Sequence, residues 1–286
     1  MNYTNPEALV STDWLADHLN SPDVRIVDGT SYLPNQGMNG REQYDIQHIP
    51  GAVYFDINDI ADETDPLPHM LPSPEKFSSK VRKLGLGDGN KIVVYDANGG
   101  YLAAARVWWM FRVFGHEDVA VLDGGLQKWI DEGRPVDDME PAARDRHFTA
   151  RMNHSLVRSV SQIIDNIDSA KEQVIDARSA GRFKGEDPEP RPSKKVGHIP
   201  GSLSLPFNQL MDPKNHFTYR SADEIKAAVD QAGIDISKPI SASCGSGVTA
   251  CVLALGLFLI GHKNTAIYDG SWSEWGDHPD TPVESG

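Results

Sequence analysis

The stretch PISASCGSGVTACVLALGLFLIGH, which spans residues 239–262, decides the predicted fold. A short run at residues 240–243 ends at Cys244, and a loop of glycines and hydroxyl residues separates it from an apolar segment that reaches Ile260. The first run predicts a buried strand, and the longer segment predicts a buried helix. A strand, a glycine-rich loop and a helix in this order are typical of parallel α/β sheets, which bind ligands at the carboxyl ends of their strands.

Four landmarks occur twice in the same order, at a spacing of 146–150 residues. They are an apolar strand ending in Asp, a His-Ile-Pro-Gly phrase, a second strand before a long apolar segment, and a closing Asp-Gly phrase. Such a repeat indicates duplicated units. We therefore predict an α/β protein with two tandem domains, each a mainly parallel sheet with helices on both faces. The predicted domains are residues 1–136 and 154–286, and the polar segment 137–153 is the predicted linker.

Composition limits the partners and the location. A formal net charge of −14 disfavours binding to nucleic acid or to anionic membranes. The longest apolar run, residues 248–260, is shorter than the roughly 20 residues that span a bilayer. The chain has two cysteines, Cys244 and Cys251, and no visible secretory signal, so we expect a reducing, cytoplasmic location without disulfides. The cysteine spacing fits no zinc site, and we predict no metal.

Cys244 is the candidate nucleophile. The backbone N–H groups of the 245–247 turn and the dipole of the following helix are expected to lower its pKa below the usual value of about 8.5. The hydroxyls of Ser246 and Thr249 are expected to donate hydrogen bonds to an anionic sulfur or to a leaving group. The alternative is an inert buried cysteine, which is how we interpret Cys251 within the apolar helix.

The first half of the chain has a similar loop without a cysteine. Residues 96–100 read Asp-Ala-Asn-Gly-Gly at the position that corresponds to the Cys244 loop. A repeat that keeps the loop and lacks the nucleophile predicts one active domain and one supporting domain. The supporting domain would form a wall of the cleft or position the other domain.

Cations gather at residues 176–195 of an otherwise acidic chain. Arg182 and Arg191 are candidates for binding a small anionic donor, because a guanidinium can bind carboxylate oxygens through two parallel hydrogen bonds. The alternative is a solvated charged surface. His69, in a loop without a counterpart in the second half, is a candidate acid–base group. His48 and His198 recur at the same place in both halves and are interpreted as structural.

The sequence resembles the rhodanese superfamily, and within it the tandem-domain sulfurtransferases. The resemblance covers nearly the whole chain and rests on residues 48–52, 106–116, 176–178, 181–183, 188–191, 197–201 and the cysteine loop. The Cys-Gly-Ser-Gly-Val-Thr loop resembles that of the 3-mercaptopyruvate sulfurtransferases. The resemblance implies that Cys244 takes sulfur from 3-mercaptopyruvate as a persulfide, releases pyruvate, and passes the sulfur to a thiol such as thioredoxin or to cyanide. It implies no cofactor.

The resemblance also implies a role for each site residue. The residues implied to bind the donor are Arg182, Arg191, Gly245, Gly247 and Val248. The residues implied to act in catalysis are Cys244, Ser246, Thr249 and His69. Some relatives place an acid where this chain has Asn58, which argues against an Asp–His–Ser relay.

Alternative functions differ from this interpretation at identifiable positions. Thiosulfate sulfurtransferases usually carry basic residues directly after the cysteine, where this chain has Gly245 and Ser246. Thiosulfate stays open as an alternative donor, as does a noncatalytic rhodanese-like binding module. Cysteine phosphatases of this architecture need an arginine six residues after the cysteine, where this chain has Ala250.

Overall fold

Two parallel five-stranded sheets of the same strand order form the framework of the protein. They are seen in a computed structural model, which describes residues 2–98 and 102–286. The strands of the first sheet, in chain order, are β1 (Leu9–Val10), β2 (Val24–Asp28), β3 (Val53–Tyr54), β4 (Lys91–Tyr95) and β5 (Val119–Leu122). In space they run β1-β5-β4-β2-β3, and every pair is parallel. The predicted α/β fold with two similar sheets is confirmed.

The second sheet repeats this order as β6-β12-β11-β7-β8. Its strands are β6 (Val157–Arg158), β7 (Gln173–Asp176), β8 (Leu203–Ser204), β11 (Ile240–Ser243) and β12 (Ala266–Tyr268). A separate antiparallel pair, β9 (Met211–Asp212) and β10 (Thr218–Tyr219), is added in this half. The central strands β4 and β11 are buried at nearly every position, because their side chains are mostly apolar or small on both faces of the sheet.

Helices connect the strands of both sheets. Those of the first half are α1 (Thr12–His18), α2 (Gly40–Ile46), α3 (Pro74–Lys83), α4 (Leu102–Val113) and α5 (Gly125–Asp131). Those of the second half are α6 (Val160–Ser169), α7 (Ala180–Lys184), α8 (Ala222–Gln231), α9 (Ala250–Leu259) and α10 (Ser271–Trp275). Several begin at a serine whose hydroxyl accepts a backbone N–H of the first turn, as Ser73 does for α3 and Ser221 for α8. Short 3-10 turns occupy Pro6–Ala8, Pro34–Gln36, His154–Leu156 and Phe207–Leu210.

Helices α4 and α9 join the two domains. Every residue of α9 is buried, because one side packs on its own sheet and another on α4. Trp108 of α4 meets Phe258 of α9 edge-on, with ring centroids 5.4 Å apart. Burying a side chain of this size stabilises a fold by about 1.5–3 kcal/mol, so a run of such residues favours docked domains. One continuous apolar core contains residues of both domains.

The segment between the domains runs along the first one. His48 and Asp137 exchange backbone hydrogen bonds at 2.8 Å, and Phe148 is buried against the rings of Phe77 and Phe111. In the part of the chain that the structure describes, no helix is both long and apolar enough to cross a bilayer.

Candidate active site

Strand registers identify the residue of the first domain that corresponds to Cys244. Asp28 pairs with Tyr95 in the first sheet as Asp176 pairs with Ser243 in the second. The next residue along β4 is Asp96, and the next along β11 is Cys244. Asp96 and Cys244 therefore occupy equivalent positions at the carboxyl ends of their central strands.

The turn between β12 and α10 supports the Cys244 loop through hydrogen bonds to its backbone. The Ser271 hydroxyl accepts the backbone N–H groups of Cys244 and Gly247, each at 3.1 Å, and donates to the Tyr268 carbonyl at 2.8 Å. Trp272 N–H donates to the Cys244 carbonyl at 2.9 Å. Cys244 itself is 1% exposed. The loop is thus fixed before any substrate enters.

Only part of the predicted set of N–H groups is available for the sulfur. Those of Gly245, Ser246, Val248 and Thr249 meet no acceptor among residues 2–98 and 102–286. Those of Cys244 and Gly247 are bonded to Ser271 instead. Four N–H donors of this loop are therefore left without an acceptor among the described residues.

Gly247 corrects the list of predicted substrate contacts. It adopts φ +72°, and its carbonyl accepts from Arg106 Nη1 at 3.1 Å, so it faces the domain interface and does not line the cleft. A Cβ at this position would lie 2.7 Å from the Asp269 carbonyl oxygen. The glycine at this position is needed for backbone conformation and close packing.

The remaining predicted site residues meet in one cleft between the domains. The cleft encloses about 150 Å³, and first-domain residues such as Tyr32 and Asn98 form part of its wall. The predicted residues that line it are His69, Arg182, Arg191, Cys244, Gly245, Ser246, Val248 and Thr249. The supporting domain therefore forms a wall of the cleft, as the repeat predicts.

Arg191 bridges two of the candidate residues. Nη1 donates to the Ser246 hydroxyl at 3.2 Å, and Nη2 lies 3.1 Å from His69 Nε2. Since a guanidinium only donates, Ser246 and His69 both accept, and the Ser246 hydroxyl proton remains able to point at sulfur or substrate. Among the described residues, no carboxylate lies within ion-pair distance of Arg191. Its positive charge is available to an anion.

Arg182 is in a different electrostatic state. Its guanidinium forms an ion pair with Glu189, whose carboxylate also accepts from the buried Arg178 at 2.7 Å. Nη2 of Arg182 lies over the loop, 2.7 Å from where a Cβ on Gly245 would be. Any side chain at position 245 would displace this arginine. The chain has no basic residue directly after Cys244. Arg182, from another segment, places its guanidinium where such a side chain would lie.

Arg178 belongs to the framework of the site. It is 1% exposed, pairs with Asp176 at 2.7 Å and stacks on Trp272 with its guanidinium carbon 4.1 Å from the ring centroid. Its charge is satisfied by Asp176 and Glu189 together.

His69 lies in the cleft as a neutral imidazole. Burial, reinforced by Arg106 and Arg191, lowers the pKa of His69 to about 3. Because Nε2 accepts from Arg191, the ring proton is on Nδ1, which is buried without a partner in the described part of the chain. Asn58 does not supply one, since its side chain is exposed and bonded to Asp56 at 3.1 Å. Position 58 therefore supplies no acid to His69 in the described structure.

The first-domain loop that lacks the cysteine contains Asp96, whose carboxylate accepts backbone N–H groups of the residues that follow it. Asp96 Oδ2 accepts from Ala103 N and Ala104 N at 3.1 and 2.9 Å, and Oδ1 accepts from Asn98 N at 3.0 Å. Burial nevertheless raises the pKa of Asp96 to about 7. The predicted glycines of this loop, Gly99 and Gly100, lie outside the described residues.

The two histidines of the repeat are structural. His48 Nδ1 lies 2.8 Å from the Tyr44 carbonyl, and its ring stacks on Tyr44. His198 Nδ1 lies 2.9 Å from the Phe183 carbonyl, and its ring stacks on Phe183. Both fix the turn before a Pro-Gly sequence, away from the cleft.

Cys251 is a core residue, as expected. It is fully buried, its thiol donates to the Gly247 carbonyl at 3.3 Å, and burial raises its pKa. A thiol in this state is a poor nucleophile.

Four residues that shape the site were not singled out from the sequence: Glu189, Arg106, Asp269 and Ser271. Ser271 had a detectable signal, because it replaces the second glycine of the closing Asp-Gly-Gly phrase only in the half that contains the cysteine. Glu189 and Arg106 stood within motifs of the resemblance but had no local feature that indicated a role. Asp269, like Asp123 in the first half, belongs to the closing Asp-Gly phrase of its repeat, which by itself indicates no role in the site.

The duplicated sheet with a cysteine at one of two equivalent strand ends defines a tandem rhodanese-like protein. A family model described as a rhodanese-like domain matches residues 11–132 and again 159–278. The chain belongs to the rhodanese family.

Relatives cover nearly the whole chain. A mitochondrial thiosulfate/3-mercaptopyruvate sulfurtransferase of Arabidopsis thaliana is 43% identical over an alignment of 300 positions, which covers 98% of this chain and 78% of the relative. The 3-mercaptopyruvate sulfurtransferase of Mus musculus is 41% identical over 94% of this chain and 91% of the relative. The crystal structure of SseA from Escherichia coli, described as a 3-mercaptopyruvate sulfotransferase, superimposes with a TM-score of 0.84. It is 38% identical over 93% of this chain and 99% of SseA.

Proposed function

We propose that the protein is a sulfurtransferase that moves sulfane sulfur from 3-mercaptopyruvate through a persulfide on Cys244 to a thiol or to cyanide. The observation that carries this proposal is the meeting of Cys244 with Arg182 and Arg191 in one cleft. Relatives named for this activity, similar over nearly the full length of the chain, support it.

The first half-reaction forms the persulfide. The Cys244 thiolate attacks the sulfur of 3-mercaptopyruvate, the sulfur–carbon bond breaks, and the bonding electrons leave with the pyruvate enolate, which then takes up a proton. Arg191 binds the donor's carboxylate or ketone oxygen, and the Ser246 hydroxyl and the free N–H groups stabilise the developing charge. His69, which is neutral and bonded to Arg191, orients that guanidinium.

The second half-reaction empties the site. A thiolate attacks the outer sulfur of the persulfide, the sulfur–sulfur bond breaks, and the Cys244 thiolate is restored while the acceptor leaves as a persulfide. We propose a thiol protein such as thioredoxin, a small thiol or cyanide as the acceptor, and a cytoplasmic location. The reaction balances without a cofactor.

The charge of the cleft favours a monoanionic donor over thiosulfate. Glu189 neutralises Arg182, and positions 245 and 246 carry no charge, so Arg191 is the guanidinium left for an anion among the described lining residues. One cation suits a single carboxylate better than a dianion. Thiosulfate is the second candidate donor, because two Arabidopsis thaliana relatives are named for both donors.

Turnover of the two donors tests the proposal. We expect pyruvate release from 3-mercaptopyruvate to disappear in Cys244→Ser and to persist in the matched Cys251→Ser variant. The wild-type kcat/KM is expected to be higher for 3-mercaptopyruvate than for thiosulfate with cyanide as the acceptor. Equal losses in the two variants would contradict a single nucleophile, and a preference for thiosulfate would overturn the choice of donor.

A further inference from the structure

Asp269 connects the two domains beside the active site. It follows β12, is 5% exposed, and accepts hydrogen bonds from the first domain on both carboxylate oxygens. Oδ1 accepts from Arg106 Nη1 at 2.6 Å, and Oδ2 accepts from the backbone N–H of Leu71 at 2.8 Å. Leu71 lies two residues after His69. The carboxylate therefore fixes the first-domain loop that contains His69 against the second domain.

Arg106 forms the other half of this connection. It lies on α4 of the first domain and is fully buried. Besides Asp269, its guanidinium donates to the Gly247 carbonyl at 3.1 Å and to the His69 carbonyl at 2.5 Å. One planar group thus contacts the cysteine loop, the His69 loop and Asp269 at once. A lysine ammonium keeps the charge but not this fixed fork of donors.

The close approach of Arg106 depends on the cysteine loop. A Cβ on Gly247 would lie 2.9 Å from Arg106 Nη1, so a larger residue there would push the guanidinium away. The second glycine of the Cys-Gly-Ser-Gly sequence is therefore matched to an arginine 141 positions earlier in the chain.

The arginine is present on only one side of the pseudo-symmetric interface. Asp123, the counterpart of Asp269, accepts the backbone N–H of Tyr219 from the other domain at 3.1 Å, just as Asp269 accepts that of Leu71. Arg106 stands ten residues after Asp96, and the residue ten after Cys244 is Ala254. The sequence therefore provides this arginine beside the cysteine loop and no counterpart for it beside the loop of the first domain.

We propose that Arg106 and Asp269 are positioning residues, which hold the His69 loop and the Cys244 loop in the relative geometry that sulfur transfer requires. The inference rests on the proposed function, since it concerns the same site. It assigns to α4 of the cysteine-free domain a direct part in assembling the site.

A double-mutant cycle on the full-length chain tests this role. We expect Arg106→Lys to lower kcat/KM for 3-mercaptopyruvate by about 30-fold or more, and His69→Asn by about tenfold. If Arg106 acts through the His69 loop, the double variant should lose less than about threefold beyond Arg106→Lys alone, because coupled residues are not additive. Effects that multiply would overturn the inference, as would an Arg106→Lys variant within twofold of wild type.

Arg112→Lys is the matched control for domain docking. Arg112 lies on the same helix and also reaches the second domain, where it donates to the Lys263 carbonyl at 3.1 Å. Its guanidinium carbon lies 4.8 Å from the ring centroid of Trp108 and 4.5 Å from that of Phe258. It does not line the cleft. We expect its kcat/KM to stay within twofold of wild type, and a loss as large as that of Arg106→Lys would overturn the inference.

Two further measurements keep the outcome decisive. Asp269→Asn retains an oxygen for Leu71 N–H but removes the charge that faces Arg106. If Arg106→Lys does not fold, the double-mutant cycle with His69→Asn is carried out with Asp269→Asn in its place.

Alkylation of Cys244 by iodoacetamide in a Cys251→Ser background needs no sulfur donor. It is expected to accelerate at least threefold in Arg106→Lys and not in Arg112→Lys, and an unchanged rate would count against the inference. A wild-type protein inactive on 3-mercaptopyruvate would refute the proposed function instead.

Discussion

Arg182 and Arg191 line the same cleft but differ in how much charge each offers a substrate. Glu189 pairs with Arg182, whereas Arg191 bonds only to the neutral Ser246 and His69 within the described residues. A hydrogen bond to a charged group contributes about 1.5–3 kcal/mol, which corresponds to roughly 10- to 150-fold in a rate constant.

We therefore predict that Arg191→Ala lowers kcat/KM for 3-mercaptopyruvate by about 10- to 100-fold and Arg182→Ala by about threefold. Steady-state pyruvate release measures both, and Glu189→Gln serves as a control because it should restore charge to Arg182. The opposite order of losses would show that Arg182 is the main donor-binding cation.

The acid sensitivity of the fold should depend on His69. Its pKa is about 3 in the folded chain and about 6.5 when unfolded, so below pH 6.5 the unfolded state binds more protons and stability falls as pH decreases. Between pH 6.5 and 5 this amounts to at most about 2 kcal/mol.

Asparagine tolerates the left-handed backbone that His69 adopts. We predict that the His69→Asn variant loses less stability than wild type between pH 7 and pH 5. Urea unfolding at the two pH values measures the difference. An equal loss in both proteins would mean that His69 is readily protonated in the folded state.

At the scale of elements, the turn between β12 and α10 supports the cysteine loop. Ser271 adopts φ +48°, where the first domain has Gly125 at φ +58°. A serine in this conformation is strained, and its hydroxyl accepts the two buried N–H groups of Cys244 and Gly247. The strained residue therefore lies in a turn that bonds the backbone of the nucleophile.

We predict that Ser271→Gly costs about 1–3 kcal/mol of stability, because two buried donors lose their acceptor while the backbone relaxes. The kcat for 3-mercaptopyruvate should fall at least tenfold. The control is Ala170→Gly, which also changes a left-handed residue to glycine but removes no side-chain hydrogen bond, and should keep or raise stability. A Ser271→Gly variant with unchanged melting temperature and kcat would contradict the prediction.

Long elements were easier to predict than short ones. Helix α9 is apolar over its full length, β4 is apolar after its first residue, and α4 has two arginines among apolar residues, so composition alone indicates these elements. The pair β9 and β10 has two residues in each strand, which is too few for any periodicity. Such elements form because the surrounding structure provides their partners.

At the scale of the whole molecule, the repeat predicted two domains but not how they dock. Residue types and spacing were enough to single out Cys244, Ser246, Arg182 and Arg191, since each lies in a local pattern of known chemistry. The pairing of Arg106 with Asp269 spans 163 residues and exists only because α4 packs on α9. Whether His69 reaches the cysteine loop depends on that docking, which no local pattern encodes.

Docking also relates the two loops that cross the interface. His69 and Phe217 each lie two residues before the residue whose N–H bonds to the opposite aspartate, and both have positive φ. The same backbone conformation thus occurs at an imidazole in one loop and at a phenyl group in the other. The duplication preserved geometry while the chemistry of the two sides diverged.

The carboxylate of Asp96 bears on how many sulfur atoms one chain can hold. It occupies from within the chain the backbone donors at the start of α4, at the strand end equivalent to that of Cys244. In the proposed reaction each polypeptide consequently holds one atom of transferable sulfur. Persulfide formation and sulfur transfer must therefore alternate at Cys244. A fully persulfidated sample should release one equivalent of sulfur per chain, and the turnover rate can rise only if the two half-reactions become faster.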